Sequence, residues 1–167
     1  GHLFATLNAL ERWLTMQIDR GENVAPVVAR LFRETHSVGM LGVLINVAKH
    51  QPDLLKGPLL PLVSSPRLYY WDAFRVEHIG YTFQPSLWIR FGEEIYEFMR
   101  KWAFAPHRSR SLLDVVAKLV RTDTAFASHV REMAAQWEQP QAEKARLEHD
   151  ILIAQLDSMN YLPDGSG

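Results

Sequence analysis

Apolar residues recur along this chain in steps of three and four, the spacing that lines up one face of an α-helix. Leu3, Leu7, Leu10, Leu14 and Ile18 form the first such stripe and predict a helix over 3–19. Glu11, Arg12, Gln17 and Asp19 fall on its other faces. Gly21 is suited to end it, because glycine takes the left-handed backbone conformation at little cost. Pro26 fits the first turn of a second helix, where its missing N–H goes unnoticed. Val27, Val28, Leu31 and Phe32 are the inward positions of that helix. Ser37 is a suitable N-cap for a third helix over 38–49. This segment is apolar nearly all round, which predicts a helix in the middle of the domain. A buried strand is the competing reading of so apolar a run, and its length favours the helix.

Pro52, Pro58, Pro61 and Pro66 cut the next stretch into short helical turns. Ser65-Pro66 then opens a helix reaching residue 78. Residues 80–85 make the clearest internal break, although Tyr81 and Phe83 suggest a packed loop rather than a free linker. Leu87, Phe91, Ile95, Phe98 and Trp102 predict a helix over 86–103. Ser111-Leu-Leu-Asp114 has the form of a capping box and opens another, with Leu112, Val115, Val116, Leu119 and Val120 on its apolar face. Phe126, Val130, Met133 and Trp137 are in register over 123–138. After Pro140 a last helix, about 141–159, carries Leu147, Ile151, Ala154 and Met159 or its neighbours inward. No stretch alternates with the period of two that marks a half-buried strand.

The expectation is a single all-α domain over 3–163, an irregular antiparallel helical array of the HEAT-like α-solenoid kind. A globular helical bundle is the alternative. Leu3 enters a helical pattern with no lead-in, so the chain reads as a fragment of a larger protein; the other reading is that only the first residues are missing. Residues 1–2 and 165–167 (Gly-His and Gly-Ser-Gly) read as remnants of tag removal and a linker.

Composition narrows the chemistry. The 167 residues suit one domain, since ~100–200 residues is the usual range. There is no cysteine, which excludes disulfide frameworks, thiol nucleophiles and iron–sulfur clusters. A cytoplasmic location is expected. The longest apolar run, 38–45, is far short of the ~20 residues that cross a membrane, so no membrane partner is expected. Neither a phosphate-binding loop nor a dinucleotide fingerprint is present, and no cofactor is expected. Gly39 and Gly42 read as points of close helix approach. Asn46 reads as a hydrogen-bonded core amide. None of the seven histidines makes a His-Glu-x-x-His motif. His129 and Glu132 share a face, but read as a solvated surface pair.

Three function classes remain. Tyr69, Tyr70, Trp71 and Phe74 form an aromatic cluster that covers all sides of its helix, a candidate partner-contact surface; internal packing between helical layers is the alternative. Residues 99–121 carry a net charge of +5, and residues 132–164 carry −5, inside a chain of formal charge −1. Arg100, Lys101, Arg108 and Arg110 are therefore candidate phosphate contacts for a nucleic-acid-binding domain. The overall pI of about 6.7 argues for protein contact instead. Glu93 and Glu97, with a histidine, are the candidates for a small helical enzyme, although alternating charges nearby read as a salt-bridged face.

The run Ser37-Val-Gly-Met-Leu-Gly-Val-Leu-Ile-Asn-Val-Ala-Lys-His-Gln-Pro-Asp-Leu-Leu-Lys-Gly-Pro-Leu-Leu-Pro-Leu62, followed by Tyr69-Tyr-Trp-Asp72, resembles helical segments of very large bacterial STAND-type NTPases. Many of those proteins are antiphage sensors in which such regions follow the NTPase module. The resemblance covers residues 37–72 and includes no catalytic motif. It implies a non-catalytic scaffold or sensor module that mediates protein–protein or intramolecular contacts.

Overall fold

A computed structural model describes residues 2–78 and 92–157. The expected break at 80–85, the start of the 86–103 helix and the end of the 141–159 helix lie outside the described residues.

Nine α-helices and two 3-10 turns make up the described chain, with no strand among the described residues. They are α1 (His2–Asp19), α2 (Ala25–Glu34), α3 (Val38–His50), α4 (Pro66–Glu77), α5 (Glu93–Ala103), α6 (Pro106–Ser109), α7 (Leu112–Thr122), α8 (Thr124–Ala134) and α9 (Glu143–Leu156). The proline-rich stretch forms the 3-10 turns Pro52–Lys56 and Leu60–Ser64.

Helix α3 is the centre, as its all-round apolar character requires. Residues Gly42 through Lys49 are all buried, and α1, α2, α6, α7 and the first 3-10 turn pack around it. Two glycines allow close approach. A Cβ at Gly39 would lie 2.8 Å from Leu7 of α1, and one at Gly42 would lie 3.1 Å from the Trp71 ring of α4.

Further along, α7, α8 and α9 pack against one another. The Ser111 capping box forms in full: Asp114 N–H donates to Ser111 Oγ at 3.1 Å, and Ser111 N–H donates back to Asp114 at 2.9 Å. Asp123 caps α8 by accepting from the Phe126 N–H. Trp137, just beyond α8, donates its indole N–H to the Ser64 carbonyl at 2.6 Å and ties this half to the second 3-10 turn.

Three inward assignments differ from expectation. In α1, Leu3 is exposed while Glu11 and Thr15 are buried beside Leu14, because polar partners from later helices reach Glu11. In α2, Val28 is buried but Val27 is exposed. In α9 the seam is His149, Leu152 and Leu156, and the expected inward pair Leu147 and Ile151 is 62% and 49% exposed. That helix has apolar residues on several sides, so its periodicity alone does not select one.

Candidate functional site

Buried charge is the first unusual feature. Glu11, Asn46, Lys49, Asp72, His107 and His149 are all buried, and the first five belong to one connected network. It joins α1, α3, α4 and α6. Glu11 accepts from Asn46 at 3.0 Å, from Arg108 Nε at 2.7 Å and from His107 Nε2 at 3.0 Å. A carboxylate can only accept here, so Nε2 of His107 carries the proton. Arg108 also donates to Asn8 and lies 4.7 Å over the Trp102 ring. Three positions along α3 from Asn46, Lys49 reaches both carboxylate oxygens of Asp72, at 3.1 and 3.2 Å. Asp72 also accepts from the Leu112 N–H at the start of α7, and from Arg75. Arg75 closes the circuit by donating to Asn46 at 2.6 Å.

The surroundings set the ionisation of these groups. Burial pushes the Glu11 carboxyl up. Hydrogen bonds from His107 and Arg108, the Arg108 charge and the Asn46 amide more than offset this, and hold it down at about 2. Burial dominates at Lys49 and brings its ammonium down to about 8, against the attraction of Asp72. Nearly every polar atom of the network faces a partner in the chain; the Nε of Arg75 is the buried exception among the described residues. The network is thus a clamp between helices, and its charges are committed to one another.

The second feature is a groove of about 340 Å³ between α1 and α5, lined by Asn8, Ala9, Arg12, Trp13, Met16, Phe98 and Trp102. Trp13, Met16 and Phe98 are 47%, 41% and 48% exposed, and Ile95 adjoins them at 52%. Arg12 sits 4.6 Å over the Phe98 ring. Apart from Asn8 and Arg12 the lining residues are aromatic or apolar. A smaller recess of about 140 Å³ lies between α8 and α9.

The residues singled out from sequence scatter across these features. Tyr69 is a correction: it is buried, donates its hydroxyl to the Val63 carbonyl at 2.9 Å, and presents nothing to a partner. Burial pushes that hydroxyl's pKa up. Trp71 packs on Gly42 with Arg75 over its ring. Tyr70 and Phe74 remain on the surface. Burial and the nearby Glu148 and Asp150 carboxylates push the Tyr70 hydroxyl up. Phe74 stacks on His78 with ring centres 3.9 Å apart.

The four basic candidates do not make one open patch. Arg100 pairs with Glu97 at 3.0 Å, Arg108 is held by Glu11, and Arg110 donates to the Lys49 carbonyl at 2.8 Å. Lys101 is exposed on α5. Glu93 and Glu97 lie on the solvent side of α5, and no histidine hydrogen-bonds to either among the described residues. His129 and Glu132 are both exposed. No group of three His, Asp or Glu side chains comes together as a metal site among the described residues. No described helix is long and apolar enough to cross a membrane.

The network is not legible in the sequence because its partners lie far apart along the chain, 97 positions for Arg108 and Glu11 and 100 for Arg108 and Asn8. The one signal was polar residues interrupting apolar helices, Asn46 and Lys49 in α3 above all. Compared with known proteins, the chain matches no family model, no curated protein and no solved structure.

Proposed function

We infer that this chain is a non-catalytic helical scaffold or sensor module that makes protein–protein contacts within a larger bacterial assembly. The observation that carries the reading is the α1/α5 groove. Large apolar side chains, two of them tryptophans, line a recess that a soluble surface does not need. Contiguous exposed apolar surface of this kind marks interaction sites, and Trp is favoured in them. The resemblance of residues 37–72 to helical regions of STAND-type NTPases points the same way. In that setting the chain acts in the cytoplasm as a rigid part of a sensor, and the buried clamp keeps the surface in shape. A HEAT-like segment is supported by the consecutive packing of α7, α8 and α9. The clamp between α1 and α6 gives it a more closed form than a stack in which each repeat touches only its neighbours.

Covalent footprinting tests the reading. Trp13 and Met16 should label strongly in the dilute purified chain and be protected in cells that produce it, while exposed Val38 on α3 should label alike in both. Equal labelling of the groove in the two settings, or substrate turnover by the purified chain, contradicts it.

A further inference from the structure

We propose that the buried circuit joins two docking events into one, so that loosening α1 from α6 also releases the first turn of α7. The coupling belongs to the chain itself and holds whether or not the groove takes a protein, so it goes beyond the scaffold reading. In a module that works by contact, it would carry a disturbance at α1 to the half built from α7, α8 and α9.

The circuit contains two charged clusters that share no residue. In one, Glu11 of α1 accepts from His107 and from two nitrogens of Arg108, both on α6. In the other, Asp72 of α4 accepts from Lys49, from Arg75 and from the Leu112 N–H, the last at 2.6 Å. Asn46 stands between them on α3. Its side-chain NH2 donates to Glu11 at 3.0 Å, and its side-chain oxygen accepts from Arg75 at 2.6 Å. The same Arg75 nitrogen also donates to Asp72. The charges fix the orientation of the amide, since a carboxylate takes only donors and a guanidinium takes only acceptors. Neither cluster can turn Asn46 without the other losing its bond.

Burial makes this consequential. Glu11 and Asn46 are 2% and 3% exposed, and Lys49 and Asp72 are fully buried. A polar group that loses its partner in such a place finds no water to replace it. Residues in one buried network therefore affect one another even where they do not touch.

Leu112 reports on the far end of the circuit. It is the first residue of α7, and the first N–H groups of a helix have no acceptor within the helix. Phe126 is a matched control. Its N–H lies in the first turn of α8 and also donates to a carboxylate, that of Asp123 at 2.9 Å. Asp123 pairs with Lys56, outside the circuit. One other connection must be separated from the side-chain route. Residues 109–111 join α6 to α7 through the backbone, with Arg110 tied to the Lys49 carbonyl. Cutting the side-chain bridge at Arg75 leaves that connection intact.

The test is amide hydrogen exchange, read residue by residue by NMR on the full chain. It compares wild type, Glu11→Gln, Arg75→Gln and the double variant, with circular dichroism to establish that each is folded. Arg108→Lys keeps a cation beside Glu11 without the guanidinium fork, and replaces Glu11→Gln if that variant does not fold. Glu11→Gln should speed exchange at Leu112 about tenfold more than at Phe126, as coupled residues of one network do. In the Arg75→Gln background the same substitution should affect the two amides alike.

Equal changes at Leu112 and Phe126 in both backgrounds, or none, would overturn the proposal, because only general stability would then have changed. A selective effect on Leu112 that survives Arg75→Gln would run through residues 109–111 and overturn it as well. So would a Leu112 amide that is unprotected in wild type, since the Asp72 bond would then be absent.

Discussion

Glu11 is the residue on which most depends. It takes four side-chain hydrogen bonds from α3 and α6, two of them from Arg108, in a site that is nearly closed to water. Removing one partner of a buried ionic cluster leaves the others uncompensated, at about 3–5 kcal/mol. Glu11→Ala should therefore lower stability by about that much in urea unfolding, measured at neutral pH. The sign of its pH dependence follows from its pKa, which folding lowers from 4.5 to about 2. The stabilisation is complete above pH 4.5 and fades as pH falls toward 2. Wild type should lose stability through that acid window, and the difference between wild type and Glu11→Ala should shrink across it. None of this was legible in the local pattern. The periodicity places Glu11 on an outer face because its neighbours Leu7, Leu10 and Leu14 already define an inner one. Only the distant His107 and Arg108 make the inward position tolerable. Asn46 was legible, since an amide inside so apolar a helix needs a partner.

At the scale of elements, local chemistry and tertiary packing divide the outcome. Helix starts were readable where a side chain satisfies the first N–H groups. Ser111 and Asp114 do so at α7, and the box forms as the Ser-x-x-Asp spacing implies. Ser111→Ala should cost about 0.5–2 kcal/mol, read as a lowered midpoint in thermal unfolding, with helix content at low temperature unchanged. The centrality of α3 was readable as well, from its lack of any polar side. The face of α9 was not. Leu147, Ile151 and Ala154 compete with Leu152 and Leu156 for the inside, and α7 and α8 take the latter pair. In α5, Ile95 and Phe98 belong to the stripe that predicts the helix and stand half open.

At the scale of the whole molecule, the charge is unevenly distributed along the chain. The near-neutral total hides a basic middle and an acidic end. Within the basic segment, Arg108, Arg100 and Arg110 are engaged by Glu11, Glu97 and the Lys49 carbonyl, while Lys101, Lys118 and Arg121 are exposed. What remains is a rigid helical body with an apolar groove. This supports a scaffold that works by contact. The most direct measurement is site-specific photo-crosslinking in cells, with a photoreactive phenylalanine at position 98 and, as control, at Arg30 on the exposed surface of α2. Position 98 should give discrete adducts to a protein, and position 30 should give none. Adducts to nucleic acid, no adducts at all, or the same adducts from both positions would contradict the assignment of the groove as a protein-contact surface.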